Sequence, residues 1–406
     1  MKITLMSGLA AALVAAASQS SRAADPPADP PAPDGGTPDA GARSAEDEAL
    51  LREIEDSTAP PAPAEQKPEA PVKAAAGGAF SNAFNPAMSV NGLFLGSFTS
   101  QDHPAGEQAH TGVAIQEVEL QILSNVDPYL SANVILAMEG GEGIGVEEGY
   151  LSLAAQPLGI AFRGGKLKVP FGRENPLHAH ALPFVDRSLV GQAVFGDGLG
   201  EVGIEGAYLV PVPWYLLFTA SLLNGDNEAA FHSPEGRDLE GFAALKSVVD
   251  LTDDATLELG ASCTLGRNAD RLLSQVAGVH AVVKWKPAAE ATTHSAVVTV
   301  EGLYSRVPRP GIPNGVETDT YGLYAYAQWQ LERRWYVGGR FEFLRPASVV
   351  PDMSRRESAM LVFAPTEFSA VRLQGSAIQP GAGSPAFYEA FLQVNFTLGA
   401  HPAHSY

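Results

Sequence analysis

Between residues 163 and 187 the chain gathers side chains that carry charge or can hold a metal: Arg163, Lys166, Lys168, Arg173, Glu174, His178, His180, Asp186 and Arg187. A sparser set follows, with Lys284 and Lys286 flanking Trp285, and Arg340 and Glu342 alternating with Phe341 and Phe343. Basic groups arranged round a narrow passage raise the local anion concentration. His178-Ala-His180 puts two rings on one side of an extended segment, and with Asp186 offers donor types that suit zinc. His103, His110 and the tail pair His401 and His404 are further nitrogen donors. Scattered histidines in polar loops are mostly solvated, so the sequence predicts no metal and no cofactor. Catalysis finds no support either. There is no Gly-x-Ser-x-Gly elbow, no His-Glu-x-x-His and no P-loop, and nothing fixes partners for Ser89 or Asp186. An enzyme is therefore not expected.

The elements that must carry these residues are strands. The segment YEAFLQVNFTLG, residues 388–399, sets Ala390, Leu392, Val394, Phe396 and Leu398 on one face and Glu389, Gln393, Asn395 and Thr397 on the other. An apolar outside and a polar inside at period two is what a strand needs with lipid on one side and water on the other. From residue 88 to 398 sixteen such segments can be marked, separated alternately by long loops and tight turns. The tight turns fall at 126–128, 156–158, 212–213, 252–254, 288–294, 333–334 and 365–366. Trp214 and Tyr215 flank one of them, and Trp329, Trp335 and Tyr336 flank another, as in an interfacial girdle. The fold expected over residues 81–406 is thus all-β: a transmembrane antiparallel β-barrel of about sixteen strands, with both termini on the short-turn rim.

What precedes the barrel has another character. Lys2, an apolar run from Leu5 to Ala17 and Ser21-Arg22-Ala23 have the form of a secretory signal over residues 1–23. Residues 24–80 are dominated by Ala, Pro, Asp and Glu and cannot bury enough apolar area to fold, so a disordered periplasmic linker is expected. Within it, residues 44–56 have an N-cap serine, early acids and an apolar face on Leu50, Leu51 and Ile54, the marks of a short helix. An export signal and a barrel together place the protein in a bacterial outer membrane. The linker is a candidate for peptidoglycan contact.

Charge excludes one class of partner. The net charge is −20, and residues 81–406 carry thirty-four acids against twenty bases, a balance of −14. Nucleic acid is an improbable ligand for such a surface. The single cysteine, Cys263, shares strand parity with Leu257, Leu259, Ala261 and Leu265, which reads as a lipid-facing position.

A sixteen-strand barrel is too wide to discriminate among small solutes unless something folds inward. The longest loop, roughly residues 171–200 and the third on the long side, is the natural candidate. Lys166 and Lys168 share strand parity and Arg163 does not. A bulge at Gly164-Gly165 would restore register and turn all three into the lumen; alternatively, they balance Glu147 and Glu148 on the preceding strand. Lys284, Lys286, Arg340 and Glu342 are lumen positions by parity.

The stretch GKLKVPFGREN, Gly165 to Asn175, resembles the strand-to-loop motif of phosphate-selective porins of the O and P group, and the ending LQVNFTLGAHPAHSY is similar to the terminal strand of related Gram-negative porin-like proteins. The resemblance implies a sixteen-stranded homotrimeric channel with an inward-folded third loop. The basic residues that phosphate-selective members place at their constriction correspond by motif position to Arg163, Lys166, Lys168 and Arg173. A passive outer-membrane porin for small hydrophilic solutes or ions is the function expected, with membrane lipids around it. The alternatives are a substrate-specific uptake receptor, related to phosphate or metal, and a structural anchor.

Overall fold

In the computed structural model, the described residues are 86–399 apart from 102–110, 141–142, 228, 233–237, 350–352 and 382. The expected signal segment, the linker with its short helix, and His103, His110, His401 and His404 lie outside them. The chain divides into two units, Met1–Ala74 and Ala75–Tyr406, and only the second is described.

Sixteen strands form one closed antiparallel barrel. They are β1 (Ala87–Thr99), β2 (Gly112–Asn125), β3 (Leu130–Glu139), β4 (Gly145–Leu153), β5 (Ile160–Lys168), β6 (Gly200–Leu209), β7 (Tyr215–Leu223) and β8 (Glu240–Thr252). Then come β9 (Ala255–Arg267), β10 (Leu273–Trp285), β11 (Ser295–Arg306), β12 (Asp319–Glu332), β13 (Trp335–Arg345), β14 (Ser354–Thr366), β15 (Ser369–Gln379) and β16 (Phe387–Gly399). Each strand pairs with its neighbours in sequence, and β1 pairs with β16 from Ser89↔Gly399 to Thr99↔Glu389, so no edge is left open.

Alternation decides which way each side chain points. Along β15, Val371 and Leu373 are exposed on the outer surface, whereas Arg372, Gln374 and Ser376 are buried inside. A membrane tolerates this arrangement because the closed sheet pairs its strands' backbone groups with one another and the outer face is apolar. Cys263 is exposed on that outer face, as its parity predicts. At the short-turn rim Trp285 packs on Trp329 with ring centroids 5.6 Å apart, and Trp335 on Phe363 at 4.7 Å.

The turns have local causes. Asp127 Oδ1 accepts hydrogen bonds from the Tyr129 and Leu130 amides at 2.7 and 2.9 Å, which closes the β2–β3 turn. The turn expected at 365–366 lies instead at Glu367-Phe368. Pro365 stays in β14, within a register shift between Phe363 and Thr366 that accommodates a residue with no N–H to donate. β10 begins four residues before the expected 277, because Ser274 and Val276 continue the inward alternation beyond the apolar band.

The Gly164-Gly165 bulge is not present. β5 runs in unbroken register against β6 from Ile160↔Tyr208 to Lys168↔Gly200, and against β4 over four pairs, Gly149↔Lys166 to Ser152↔Arg163. Gly165 instead serves close approach. Its φ is +140°, and a Cβ there would collide with the Gly149 carbonyl and the Tyr150 Cα.

A candidate constriction in the lumen

The segment between β5 and β6 turns into the barrel. Asn175, from the GREN end of the motif, ties its base. The Asn175 amide donates to the carbonyls of Val169 and Leu199 at 2.7 and 3.0 Å, and its Oδ1 accepts from the Leu199 amide at 2.7 Å. Beyond this clasp, Glu301 on β11 accepts the backbone amides of Arg173 and Glu174 at 2.9 and 3.2 Å. Gly172 permits the turn between them, since its φ is +63° and a side chain would strike Glu301.

The segment then crosses to the far wall and forms one short helix, α1 (Leu189–Phe195), capped by Ser188, whose hydroxyl accepts from the Gly191 amide at 3.1 Å. α1 packs on β11, β12 and β13. Phe171, Phe184, Val190, Val194 and Phe195 join Phe242, Leu303, Tyr324 and Met360 from the wall in an apolar core inside the lumen. Burying such side chains is favourable by about 1.5–3 kcal/mol each, so this segment is a packed structural element.

Charges fasten what the apolar core does not. Asp186 Oδ1 accepts from Arg340 Nη2 at 2.8 Å and from Gln374 Nε2 at 2.7 Å, and its other oxygen meets Arg356 Nη1. Glu342 Oε1 lies 2.7 Å from Arg340 Nε and 2.6 Å from Arg356 Nε, while Glu342 Oε2 accepts the Leu189 amide at 2.6 Å. The Arg340 guanidinium also lies over the Phe184 ring, 4.5 Å from its centroid. Two carboxylates and two guanidiniums neutralise one another away from water. Burial raises the Asp186 carboxyl, but the Arg340 and Arg356 charges outweigh it and hold the group below its usual range. Burial pushes Glu174 up, against the hydrogen bonds it accepts from Ser188.

The remaining residues divide among three places. Arg163 faces the lumen and bonds Glu205 at 2.7 Å, with its guanidinium 5.1 Å from the centroid of the Tyr150 ring. Lys168 is buried against Glu147, and its amide donates to Glu148 at 3.0 Å. Lys166 lies opposite Gly149 and Val202 on the outward parity and donates to the Val146 carbonyl at 2.6 Å, so the expectation that it faces the lumen is corrected. Arg187 donates to the Leu177 carbonyl at 3.0 Å. His178 and His180 go to other wall strands than Asp186, against Glu119 of β2 and Glu147 of β4. The set His178, His180 and Asp186 is therefore not brought together. Burial lowers the His178 imidazole, but its contacts with Glu119 and Glu147 raise it to about 9.

Lys284 faces the lumen in the electrostatic neighbourhood of Arg173, Lys246 and Glu258. Lys286 sits at the short-turn rim, where its amide donates to the Asp254 carbonyl at 2.8 Å. Arg340 and Glu342 do face inward, and Arg356, Gln374, Glu301 and Glu119 are the partners that sequence reasoning missed. All four have inward parity, a signal available beforehand; which inward residues meet the loop is set by the closed sheet alone.

No family model matches the chain. An uncharacterised protein of Aquifex aeolicus (strain VF5) is 28% identical over 348 residues, 75% of this chain and 72% of that protein. The anion-selective porin from Comamonas acidovorans has a TM-score of 0.55 at 10% identity, over 77% of this chain and all of that one. The outer membrane channel DcaP of Acinetobacter baumannii has a TM-score of 0.53 at 9% identity, over 77% of this chain and 96% of that one. OmpT of Vibrio cholerae, in its trimer form, has a TM-score of 0.51 at 8% identity, over 78% of this chain and all of that one. These likenesses are of fold: the sixteen-strand closed barrel is that of outer-membrane porins.

Proposed function

We propose that the chain is an outer-membrane channel through which small hydrophilic solutes or ions diffuse passively, narrowed by the segment between β5 and β6. The observation that carries this reading is a closed barrel, apolar outside and polar inside, crossed within its lumen by residues 169–199. No chemical step is involved; passage is governed by the width left beside the loop and by the charges that line it.

Selectivity follows from which charges are already engaged. Arg163, Lys168, Arg340 and Arg356 each have a carboxylate partner, and Lys166 is outside, so the motif that resembles that of phosphate-selective porins offers a weak anion site here. Arg173, Lys246 and Lys284 surround a single carboxylate, Glu258, and are the better candidates to draw anions through. A homotrimer in the outer membrane fits the short strands β3 to β7, of which none exceeds ten residues and which make a low stretch of wall suited to contact with a second copy.

Planar-bilayer recording of the refolded full chain under a potassium chloride gradient tests the reading. Stable conductance steps are expected, with a reversal potential that shifts toward cation preference in Lys246→Gln/Lys284→Gln. Correctly folded protein that gives no steps overturns the channel reading. Block by added phosphate, retained in the double variant, would return the anion site to the Gly165–Asn175 motif.

A further inference from the structure

The first turn of the lumen segment brings two imidazoles against carboxylates of the wall. His178 Nδ1 lies 3.2 Å from Glu119 Oε2 and 3.0 Å from Glu147 Oε2, and His180 Nδ1 lies 3.3 Å from the same Glu119 oxygen. A zinc-sized ion with bonds of about 2.0–2.2 Å holds tetrahedral neighbours about 3.4 Å apart. The three separations sit close to that edge length. One donor atom from each of Glu119, Glu147 and His178 lies within 4.8 Å of the others, and so does one from each of Glu117, Glu119 and His180.

The imidazoles pair with Glu119 and Glu147 by charge, but these close contacts lack hydrogen-bond geometry. Glu119 Oε2, Glu147 Oε2 and His178 Nδ1 are buried and form no hydrogen bond of acceptable geometry. Glu117 is only 4% exposed, and its Oε1 has no hydrogen-bond partner among the described residues. The surroundings are also short of positive charge. β2 contributes Glu117 and Glu119, β3 Glu139, and β4 Glu147 and Glu148, against Lys168 and Arg163 from β5; Asp197 and Arg187 face Glu139 from the lumen segment.

We infer that Glu119, Glu147 and His178 form a site for one divalent transition-metal ion, with His180 and Glu117 beside it on the second side of Glu119. Imidazole nitrogens with carboxylate oxygens favour zinc or a neighbouring first-row ion over calcium or magnesium, which prefer oxygen alone. His178 and His180 belong to the lumen segment while Glu119 and Glu147 belong to β2 and β4, so a bound ion ties the constriction to wall strands other than those that hold Asp186. The site stands independently of the channel reading, because binding is measured on the folded barrel without any conductance.

The test is equilibrium dialysis of the folded full chain in detergent against zinc, with metal counted by mass spectrometry and folding checked by circular dichroism. One zinc per chain is expected. Glu119→Gln and His178→Ala/His180→Ala should each weaken it by more than the ten- to hundredfold that a supporting residue costs. X-ray absorption of the loaded protein should show a mixed nitrogen and oxygen shell with imidazole scattering. A folded wild type that retains no zinc overturns the proposal, as does an affinity equal in wild type and both variants, which would place the ion elsewhere, for instance on His401 and His404. Competition by calcium at equal concentration would overturn the class of ion.

Discussion

Asp186 sits between two guanidiniums that also share Glu342, so neutralising it leaves Arg340 and Arg356 buried with one carboxylate between them. Breaking a buried pair from one side costs about 3–5 kcal/mol. Asp186→Asn should therefore open the lumen segment locally, with amides 183–189 exchanging roughly a hundredfold faster by hydrogen-exchange mass spectrometry while the strands keep their protection. The same residue sets a pH dependence. Its folded pKa lies below its unfolded one, so the stability it lends is complete above the ordinary Asp value of about 3.9 and is lost as pH falls through the depressed folded value. Protection of 183–189 should be flat from neutral pH down to about 4 and collapse below that, a collapse absent from Asp186→Asn. At this scale parity was legible from sequence: Arg340, Glu342 and Lys284 inward, Cys263 outward. Partners were not. Arg340 is 154 residues from Asp186, and nothing local to either position indicates that they meet.

The two glycines at the β4–β5 seam separate what a strand position needs from what its face needs. Gly165 is at φ +140° beside the Gly149 carbonyl, whereas Gly164 looks outward toward Ile204 with ordinary contact distance to spare, 3.5 Å to its nearest side-chain atom. Gly165→Val should destabilise the barrel by more than about 1 kcal/mol, since the new side chain meets backbone that cannot yield. Gly164→Ala should be close to neutral. Urea titration of folded protein in detergent, read by tryptophan fluorescence, distinguishes them, and equal midpoints would remove the close-approach explanation. The strands themselves were legible because period-two alternation is imposed by lipid and water at every turn of the chain. The interior of the third loop was not, because its helix and apolar core answer to a wall assembled from distant segments. The Gly-Gly pair leaves a bulge open in sequence for a related reason: a glycine chosen for closeness to a neighbouring strand looks, in one dimension, like a glycine chosen for irregularity.

For the molecule as a whole, the lone cysteine offers a direct probe of orientation in the membrane. Cys263 points out from β9 among Leu259, Ala261 and Leu265. In liposomes a lipid-soluble maleimide should label it and a charged, impermeant one should not, whereas both should label unfolded protein. Equal labelling by the charged reagent in folded proteoliposomes would place that wall outside the bilayer. Finally, the lumen segment is fastened by residues synthesised long after it: Arg372 holds the Leu182 carbonyl across 190 positions, Gln374 holds Asp186 across 188, and Asn395 reaches the His180 carbonyl across 215. These fasteners stand on β15 and β16, and β16 is also the strand that seals the cylinder against β1. Closing the cylinder and holding the segment within it therefore depend on the same two strands.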